Sequence, residues 1–201
     1  ETLIDVGCGD GRLVRELNTE FPDKKIFGID YSEKAINLAK ALNPNCNFTC
    51  VDIIKEVKYN ADVITLIEVF EHIHPSISAN FVDGIHKHLN KNGVLFITVP
   101  HINKPIEYKH YRHFSSESIA DCFNNKFLIQ EIIPFESNSI IKKLIDLILT
   151  NRFFLLNSSK VKNMLYKYYK NNLFFVNNNE NKCNRLFIKA IKKWNYQLLF
   201  P

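Results

Sequence analysis

The sequence predicts an α/β protein: a doubly wound, mostly parallel sheet of seven strands, with a helical insertion before the last strand. Three observations predict it. Short apolar segments alternate with amphipathic helical ones through the first 135 residues, the pattern of a parallel sheet covered on both faces. The first of these strands runs straight into Gly7-Cys8-Gly9-Asp10-Gly11, a turn whose glycines accept φ > 0 and let a ligand approach the backbone. The alternation then gives way at residues 136–185 to Lys, Asn, Tyr and Leu, before one more strand.

The elements follow in order. Thr2–Val6 is the first strand, and Asp10–Glu20 a helix with Leu13, Val14 and Leu17 on one face. Lys25–Asp30 is the second strand. Ser32 caps the next helix, which buries Ala35, Ile36, Ala39 and Leu42 and stops at Asn43-Pro44. Phe48–Val51 is the third strand, with Asp52 at its end, and Ala61–Ile67 the fourth. Pro75 opens a helix that turns Phe81, Val82, Ile85 and Leu89 inward and leaves His86 and His88 on the surface. Asn92-Gly93 turns the chain into the fifth strand, Val94–Val99. Ser115 caps a further helix, with Phe114 stapled onto Ile119. Phe127–Phe135 and Leu186–Lys193 are the last two strands and pair with each other. The insertion holds an apolar helix around Ile140–Leu149, the aromatic stretch Phe153-Phe154-Leu155-Leu156 with Tyr166, Tyr168 and Tyr169, and a turn at Asn177-Asn178-Asn179. The chain thus divides into a core (1–135), a basic helical insertion (136–185) and a last strand with its tail (186–201).

Composition narrows the class. At 46% apolar, 201 residues suffice for one domain with a full core. No apolar run reaches the roughly 18 residues of a spanning helix, and no charged-then-apolar leader opens the sequence. Five cysteines, an odd number without close pairing, fit a reducing compartment and the cytoplasm, and Cys46 and Cys50 lack the second pair that a zinc site needs. The net charge of +5 hides a split: residues 1–135 carry 14 Lys+Arg and 18 Asp+Glu, residues 136–201 carry 12 and 3. The second part is either a solvated basic surface or a contact for an anionic partner.

The glycine turn carries the chemistry. Asp5 and Asp10 flank it, and a diphosphate there would meet added negative charge. Its spacing is Gly-x-Gly-x-Gly, not the Gly-x-Gly-x-x-Gly of dinucleotide sites. A neutral or cationic ligand with hydroxyls fits better, and S-adenosylmethionine is such a ligand. With Asp30 ending strand two, Asp52 ending strand three and Glu68-Val69-Phe70-Glu71-His72 following strand four, the chain resembles the Rossmann-like class I S-adenosylmethionine-dependent methyltransferases, over residues 1–135 plus the final strand. The resemblance implies a cofactor-binding set of Asp5, Gly7, Cys8, Gly9, Asp30, Tyr31, Asp52, Ile53 and Glu68. Asp30 would accept from the ribose hydroxyls. Asp52, or the amide of Ile53, would meet the adenine amine. Asp5 would orient the turn or meet the methionine amine, and Gly11 would serve helix–strand packing. Enzymes of this kind carry a leading helix that closes over the cofactor; either such a helix precedes residue 1 in a longer chain, or the lid comes from elsewhere, such as the insertion.

Acceptor chemistry is expected after strands four and five, in Glu71-His72-Ile73-His74, at His101 and in Tyr108–Ser115. One reading makes His72 or His113 the base that takes the acceptor's proton, with Glu71 beside it and Arg112 or Lys109 holding an anionic group. These segments are similar to those of bacterial methyltransferases that modify small molecules, quinone precursors and surface sugars. This reading needs no metal and expects a small-molecule or glycan acceptor. A second reading places a divalent ion on Glu68, Glu71, His72 and His113 or His110, because Glu-x-x-Glu-His with a later His resembles small-RNA 3′-terminal 2′-O-methyltransferases. The basic segment would then track phosphates. A third is a cofactor-binding subunit without activity of its own. The helix around Ile140–Leu149 is wider in its apolar face than a surface helix needs; it packs on the core or a substrate cap, on a second copy, or on a membrane surface.

Overall fold

The structure, a computed structural model, describes residues 1–149, 158–174 and 179–193. Strands buried on both faces must be apolar nearly throughout, and the central ones here are. β1 (Thr2–Val6), β2 (Lys25–Asp30), β3 (Asn47–Cys50), β4 (Ala61–Ile67) and β5 (Leu89–Pro100) run parallel. β6 (Phe127–Ser137) and β7 (Cys183–Lys192) complete a seven-stranded sheet of order β3-β2-β1-β4-β5-β7-β6, with β7 antiparallel to both neighbours. The expected fold class is the one observed, and the last two strands pair as expected.

Helices cover both faces. On one, α1 (Arg12–Glu20) and α2 (Glu33–Leu42) close a small core of Cys8, Val14, Ile26, Ile36, Ala39 and Phe48. On the other, α3 (Ser78–His88) and α4 (Ser116–Phe123) bury the larger core, where Phe70, Phe81, Phe114, Phe123 and Phe127 meet Ile64, Leu66, Leu95 and Ile97. Ser32 caps α2 by accepting from the Ala35 N–H at 3.3 Å, and Ser115 and Ser118 form a reciprocal capping box on α4. These caps were legible because Ser/Thr at a helix start satisfies amides that have no carbonyl one turn back.

Several boundaries differ from expectation, each for a local reason. α1 starts at Arg12, because Gly11 at φ 78° still belongs to the turn and Asp10 Oδ1 accepts from the Arg12 N–H. Pro75 opens a single 3₁₀ turn, Pro75–Ile77, and the α-helix begins at Ser78. Leu89 is not the inward end of that helix but the first residue of β5, which runs through Asn92 at φ 59° with a register shift against β4. His88 is fully buried rather than on the surface, with Nδ1 bonded to the Gly84 carbonyl at 2.9 Å, and His86 is half-buried against the Lys193 carbonyl. β6 runs on to Ser137 and β7 begins at Cys183, because Phe135 pairs with Arg185 and Ser137 with Cys183.

The insertion carries α5 (Ile140–Leu149), as expected, then α6 (Ser159–Tyr168) and a π turn, Tyr169–Leu173. Ile145 is buried, whereas Ile140, Ile141, Leu144, Leu147, Ile148 and Leu149 are all exposed. The Phe153–Leu156 stretch and Asn177-Asn178 lie outside the described residues. All five cysteines are free. No helix among the described residues is long and apolar enough to cross a membrane.

Candidate active site

The strand order reverses beside β1, between β2 and β4, and open α/β sheets bind ligands outside the carboxyl ends of the strands at such a point. The glycine turn leaves β1 there. The N–H groups of Gly7 and Cys8 both donate to the Ile29 carbonyl, at 2.8 and 3.0 Å, pinning the turn to β2. Gly7 has φ 72°, and a Cβ on it would lie 2.6 Å from Val69 Cγ2. Gly9, at φ 53°, faces open space: a Cβ there would meet nothing within 4 Å. A Cβ on Gly11 would lie 2.4 Å from the Phe48 ring, so Gly11 serves packing between helix and sheet.

The acids stand along the same edge in sheet order. Asp30 Oδ2 accepts from the Gly9 N–H at 3.2 Å and Oδ1 from the Ser32 N–H at 2.9 Å. It braces the turn against the start of α2, and each oxygen keeps a lone pair for a hydroxyl donor. Asp5 is buried and accepts from Thr65 Oγ1 at 2.7 Å. Burial pushes its carboxyl up to about 7, against the pull of the Thr65 bond and with a small addition from Asp30. Asp52 accepts from the Ile54 N–H at 3.1 Å and pairs with Lys55 at 2.9 Å, which holds it below the usual carboxylate range. Ile53 is buried, its carbonyl so close to α3 that a Cβ on Gly84 would sit 2.3 Å away. Tyr31 is 81% exposed, so any ligand role for it would be on an open surface. The Cys8 thiol lies in the small core, where burial pushes it up to about 12, and its backbone holds the turn: its N–H donates to the Ile29 carbonyl and its carbonyl accepts from the Gly11 N–H. A cleft of about 570 Å³ adjoins the turn through Asp5, Gly7 and Asp10 and runs between Leu13 and Leu17 of α1 and the sheet residues Thr65, Ile67, Phe96 and Phe187. Asp30 and Asp52 are not among its walls.

Beyond β4 the chain passes Glu68, at φ 54°, into a 3₁₀ turn, Phe70–His72. Phe70 is fully buried and stacks on Phe114 with centroids 5.5 Å apart, which anchors the turn and presents Glu71 and His72. The loop of residues 102–113 is closed at its base: the Ile102 N–H donates to the Phe114 carbonyl and the Phe114 N–H to the Pro100 carbonyl. The Tyr111 N–H donates to the Glu71 carbonyl at 2.9 Å and ties the loop to the turn. Arg112 lies over the Phe70 and Phe114 rings at 5.2 and 5.0 Å.

The carbonyl partners fix the histidine tautomers. A carbonyl only accepts, so His72 Nδ1, 3.0 Å from the Lys109 carbonyl, carries the ring proton and leaves a lone pair on Nε2. His113 Nδ1 likewise donates to the Lys104 carbonyl at 2.8 Å. Its Nε2 accepts from His110 Nδ1 at 2.8 Å, which leaves His110 with its lone pair on Nε2. Glu71 is 0% exposed and neither of its oxygens has a hydrogen-bond partner among the described residues. Burial pushes its carboxyl up to about 8, against its own backbone N–H and with the Glu68 charge adding to the rise. One ligand-type atom from each of Glu71, His72 and His110 lies within 4.8 Å of the others.

The structure therefore brings Glu71 and His72 together, as expected. It puts His110 beside them, with His113 one ring further back. Glu68 turns elsewhere, accepting from Thr98 Oγ1 at 3.0 Å and standing 3.5 Å from Arg185 Nε. His101 is structural: Nδ1 accepts from the Asn103 N–H and Nε2 donates to Glu180 at 2.9 Å.

Other residues at the site had no clear sequence signal. Asn43, read as a helix end, is buried and donates through Nδ2 to the Asp10 carbonyl at 2.8 Å, holding the glycine turn. Glu180 accepts from the Ser116 N–H at 2.8 Å and caps α4 from a distant part of the chain. Glu136, at φ 60°, joins Arg185 at 3.1 Å and Lys142 at 3.1 Å, linking the insertion to Glu68.

Comparisons with known proteins agree with this geometry. A family profile described as a methyltransferase domain matches residues 1–130. Carboxy-S-adenosyl-L-methionine synthase of Campylobacter hominis is 28% identical over 148 residues, which is 66% of this chain and 62% of that protein. The chain thus spans less than two thirds of that relative's length. The crystal structure of a SAM dependent methyltransferase from Archaeoglobus fulgidus superposes with a TM-score of 0.64 over 96% of this chain and 86% of that one, at 19% identity. N-methyltransferase NodS of Bradyrhizobium japonicum WM9, in complex with S-adenosyl-L-homocysteine, gives 0.62 over 97% and 79% at 12% identity. At such identities the structures speak for the fold alone.

Proposed function

This chain belongs to the methyltransferase-domain family, and on that premise we propose that it is an S-adenosylmethionine-dependent O-methyltransferase acting on a small molecule or a sugar. For the cofactor, the support is the open space at Gly9, the remaining acceptor capacity of Asp30 and the buried carboxyl of Asp5 at the cleft. For an oxygen acceptor, one observation carries the reading. At the end of β4, where acceptor and methyl group would meet, one basic atom from each of Glu71, His72 and His110 lies within 4.8 Å of the others, and the Glu71 oxygens have no hydrogen-bond partner among the described residues. An amine attacks with a free lone pair and sheds its proton to water afterwards. A hydroxyl is a poor nucleophile until its proton is drawn away, and a cluster of bases suits that task.

The transfer is an in-line displacement. The acceptor oxygen forms the C–O bond and the C–S bond breaks with its electron pair going to sulfur. S-adenosylhomocysteine leaves, and the hydroxyl proton departs through the cluster, which opens to solvent at His72, 41% exposed at its side chain. The sulfonium is already a good leaving group, so the protein supplies alignment and proton handling.

The test is a mass-spectrometric screen of phenols, hydroxy acids, sugars and matched amines with S-adenosylmethionine. Methylation of hydroxyl acceptors is expected, and His72→Asn should lower kcat by about 10²–10⁴ with cofactor affinity unchanged. Methylation confined to amines, or a His72→Asn enzyme as fast as the wild type, overturns the reading.

A further inference from the structure

We infer that the face formed by residues 102–106 and the start of α5 docks this protein on an anionic membrane surface. A pocket of about 280 Å³ opens there, between Asn103, Lys104 and Pro105 of the loop after β5 and Ser139, Lys142 and Lys143 at the start of α5. Its walls hold three lysines and one acid, Asp146. Lys104 pairs with Glu107, and Lys142 with Glu136 and Asp146, which fixes two of the ammonium groups. Lys143 is exposed and has no acidic partner among the described residues. Apolar side chains stand in water beside these polar ones. Ile102 and Ile106 bracket the loop's part of the pocket and are 59% and 64% exposed. On α5, Ile140, Leu144 and Leu147 follow one another at helical spacing along a single exposed stripe. Lys143, one turn from both Ile140 and Leu147, lies along the edge of that stripe and in the wall of the pocket.

Exposed aliphatics edged by lysine are what an element lying in a bilayer interface needs. The aliphatics enter the boundary between headgroups and acyl chains, and the ammonium groups meet lipid phosphates. Charge and apolarity together select the occupant. Residues 136–201 carry 12 Lys+Arg against 3 Asp+Glu, so a second copy meeting this face head-on would bring the same positive charge to the contact. A nucleic acid would match the charge but leave the aliphatic stripe in water. An anionic bilayer satisfies both features, with the phosphate of one headgroup in the pocket and Ile102, Ile106 and the α5 stripe around it. The loop that lines the pocket also holds the histidine cluster, because the Lys104 carbonyl accepts from His113 Nδ1. Docking on this face therefore sets the histidines close to the bilayer.

The experiment is co-sedimentation of the purified chain with vesicles of phosphatidylcholine alone, or of phosphatidylcholine and phosphatidylglycerol in equal parts. Light scattering of the vesicle-free chain runs alongside. Binding to the mixed vesicles is expected, about tenfold or more tighter than to phosphatidylcholine and weakened by salt. Lys143→Glu and Leu144→Asp should each weaken it by about tenfold. Leu128→Asp should not, because Leu128 is an exposed aliphatic at the opposite end of the sheet. Thermal melts confirm that each variant is folded, and Lys143→Ala and Leu144→Ser give milder changes at the same positions should either fail. No binding to the mixed vesicles, equal binding to both compositions, or unchanged binding in the folded Lys143 and Leu144 variants overturns the membrane face. So does a dimer in solution that Leu144→Asp dissociates, which assigns the stripe to a second copy.

Discussion

Asp5→Asn should stabilise the protein at neutral pH while weakening its hold on the cofactor. Asp5 is 4% exposed and its carboxyl is bonded to Thr65 Oγ1. Its pKa rises from 3.8 to about 7, chiefly because burial disfavours the charge. A folded-state pKa above the unfolded one means that the folded protein binds the extra proton. The stability tied to that proton is complete below 3.8 and is lost as pH rises through about 7. About three pKa units at about 1.4 kcal/mol each amount to about 4 kcal/mol, an upper bound because water entering around a charged Asp5 relieves part of it. Asparagine keeps an acceptor for Thr65 and carries no charge. The variant's advantage should therefore grow by about 2–3 kcal/mol between about pH 5 and about pH 8. Urea denaturation of both proteins at the two pH values measures this, and S-adenosylhomocysteine titration should show affinity down by about tenfold. A variant less stable than wild type at the higher pH, or a difference that does not change with pH, would show that Asp5 carries no buried-charge cost.

Two glycine substitutions should separate packing from ligand space. Gly7→Ala meets Val69 Cγ2 at 2.6 Å and should lower the thermal midpoint strongly, whereas Gly9→Ala meets nothing, should cost about 1 kcal/mol of backbone strain, and should lose at least tenfold in S-adenosylhomocysteine affinity. Calorimetry on both variants decides it; wild-type affinity in Gly9→Ala contradicts the assignment of that space. Asn43→Ala removes the donor to the Asp10 carbonyl and should cost about 1–3 kcal/mol by urea denaturation. Burial opposes ionisation of Glu180, but the bonds from Ser116 and His101 outweigh it and hold the carboxyl below the usual range. The stability this contributes is present at neutral pH and is lost on acidification. Glu180→Gln should therefore be most destabilising near neutral pH and converge with wild type in acid, as read by thermal melts across pH.

The fold was legible because its signals are local. Strand-length apolar runs, Ser32 and Ser115 at helix starts, and glycines at a strand end each act over a few residues, and the elements they predict are the ones observed. Boundaries slipped where tertiary context decided: Leu89 left the helix because β4 offered it a ladder partner in Ala61, and His88 is buried with its Nδ1 on the Gly84 carbonyl one turn back. On the proposed cofactor side, the acids and glycines fell on strand ends that the alternation already located. The proposed acceptor side was only half legible. Glu71 and His72 are adjacent in sequence, but which loop histidine reaches them depends on how residues 102–113 fold back, and the bridge between His101 and Phe114 that closes this loop has no local signature. Glu180 capping α4 and Arg185 joining Glu68 to Glu136 are long-range pairings that no spacing rule exposes.

The proposed function depends most directly on cofactor binding at the glycine turn. Calorimetric titration of S-adenosylmethionine and S-adenosylhomocysteine into wild type and Asp30→Ala, with thermal melts to confirm folding, addresses it in one series. One ligand per chain is expected, with affinity falling at least tenfold when the Asp30 carboxylate that braces Gly9 and Ser32 is removed. No binding to the wild type, or equal binding to a folded Asp30→Ala chain, contradicts it.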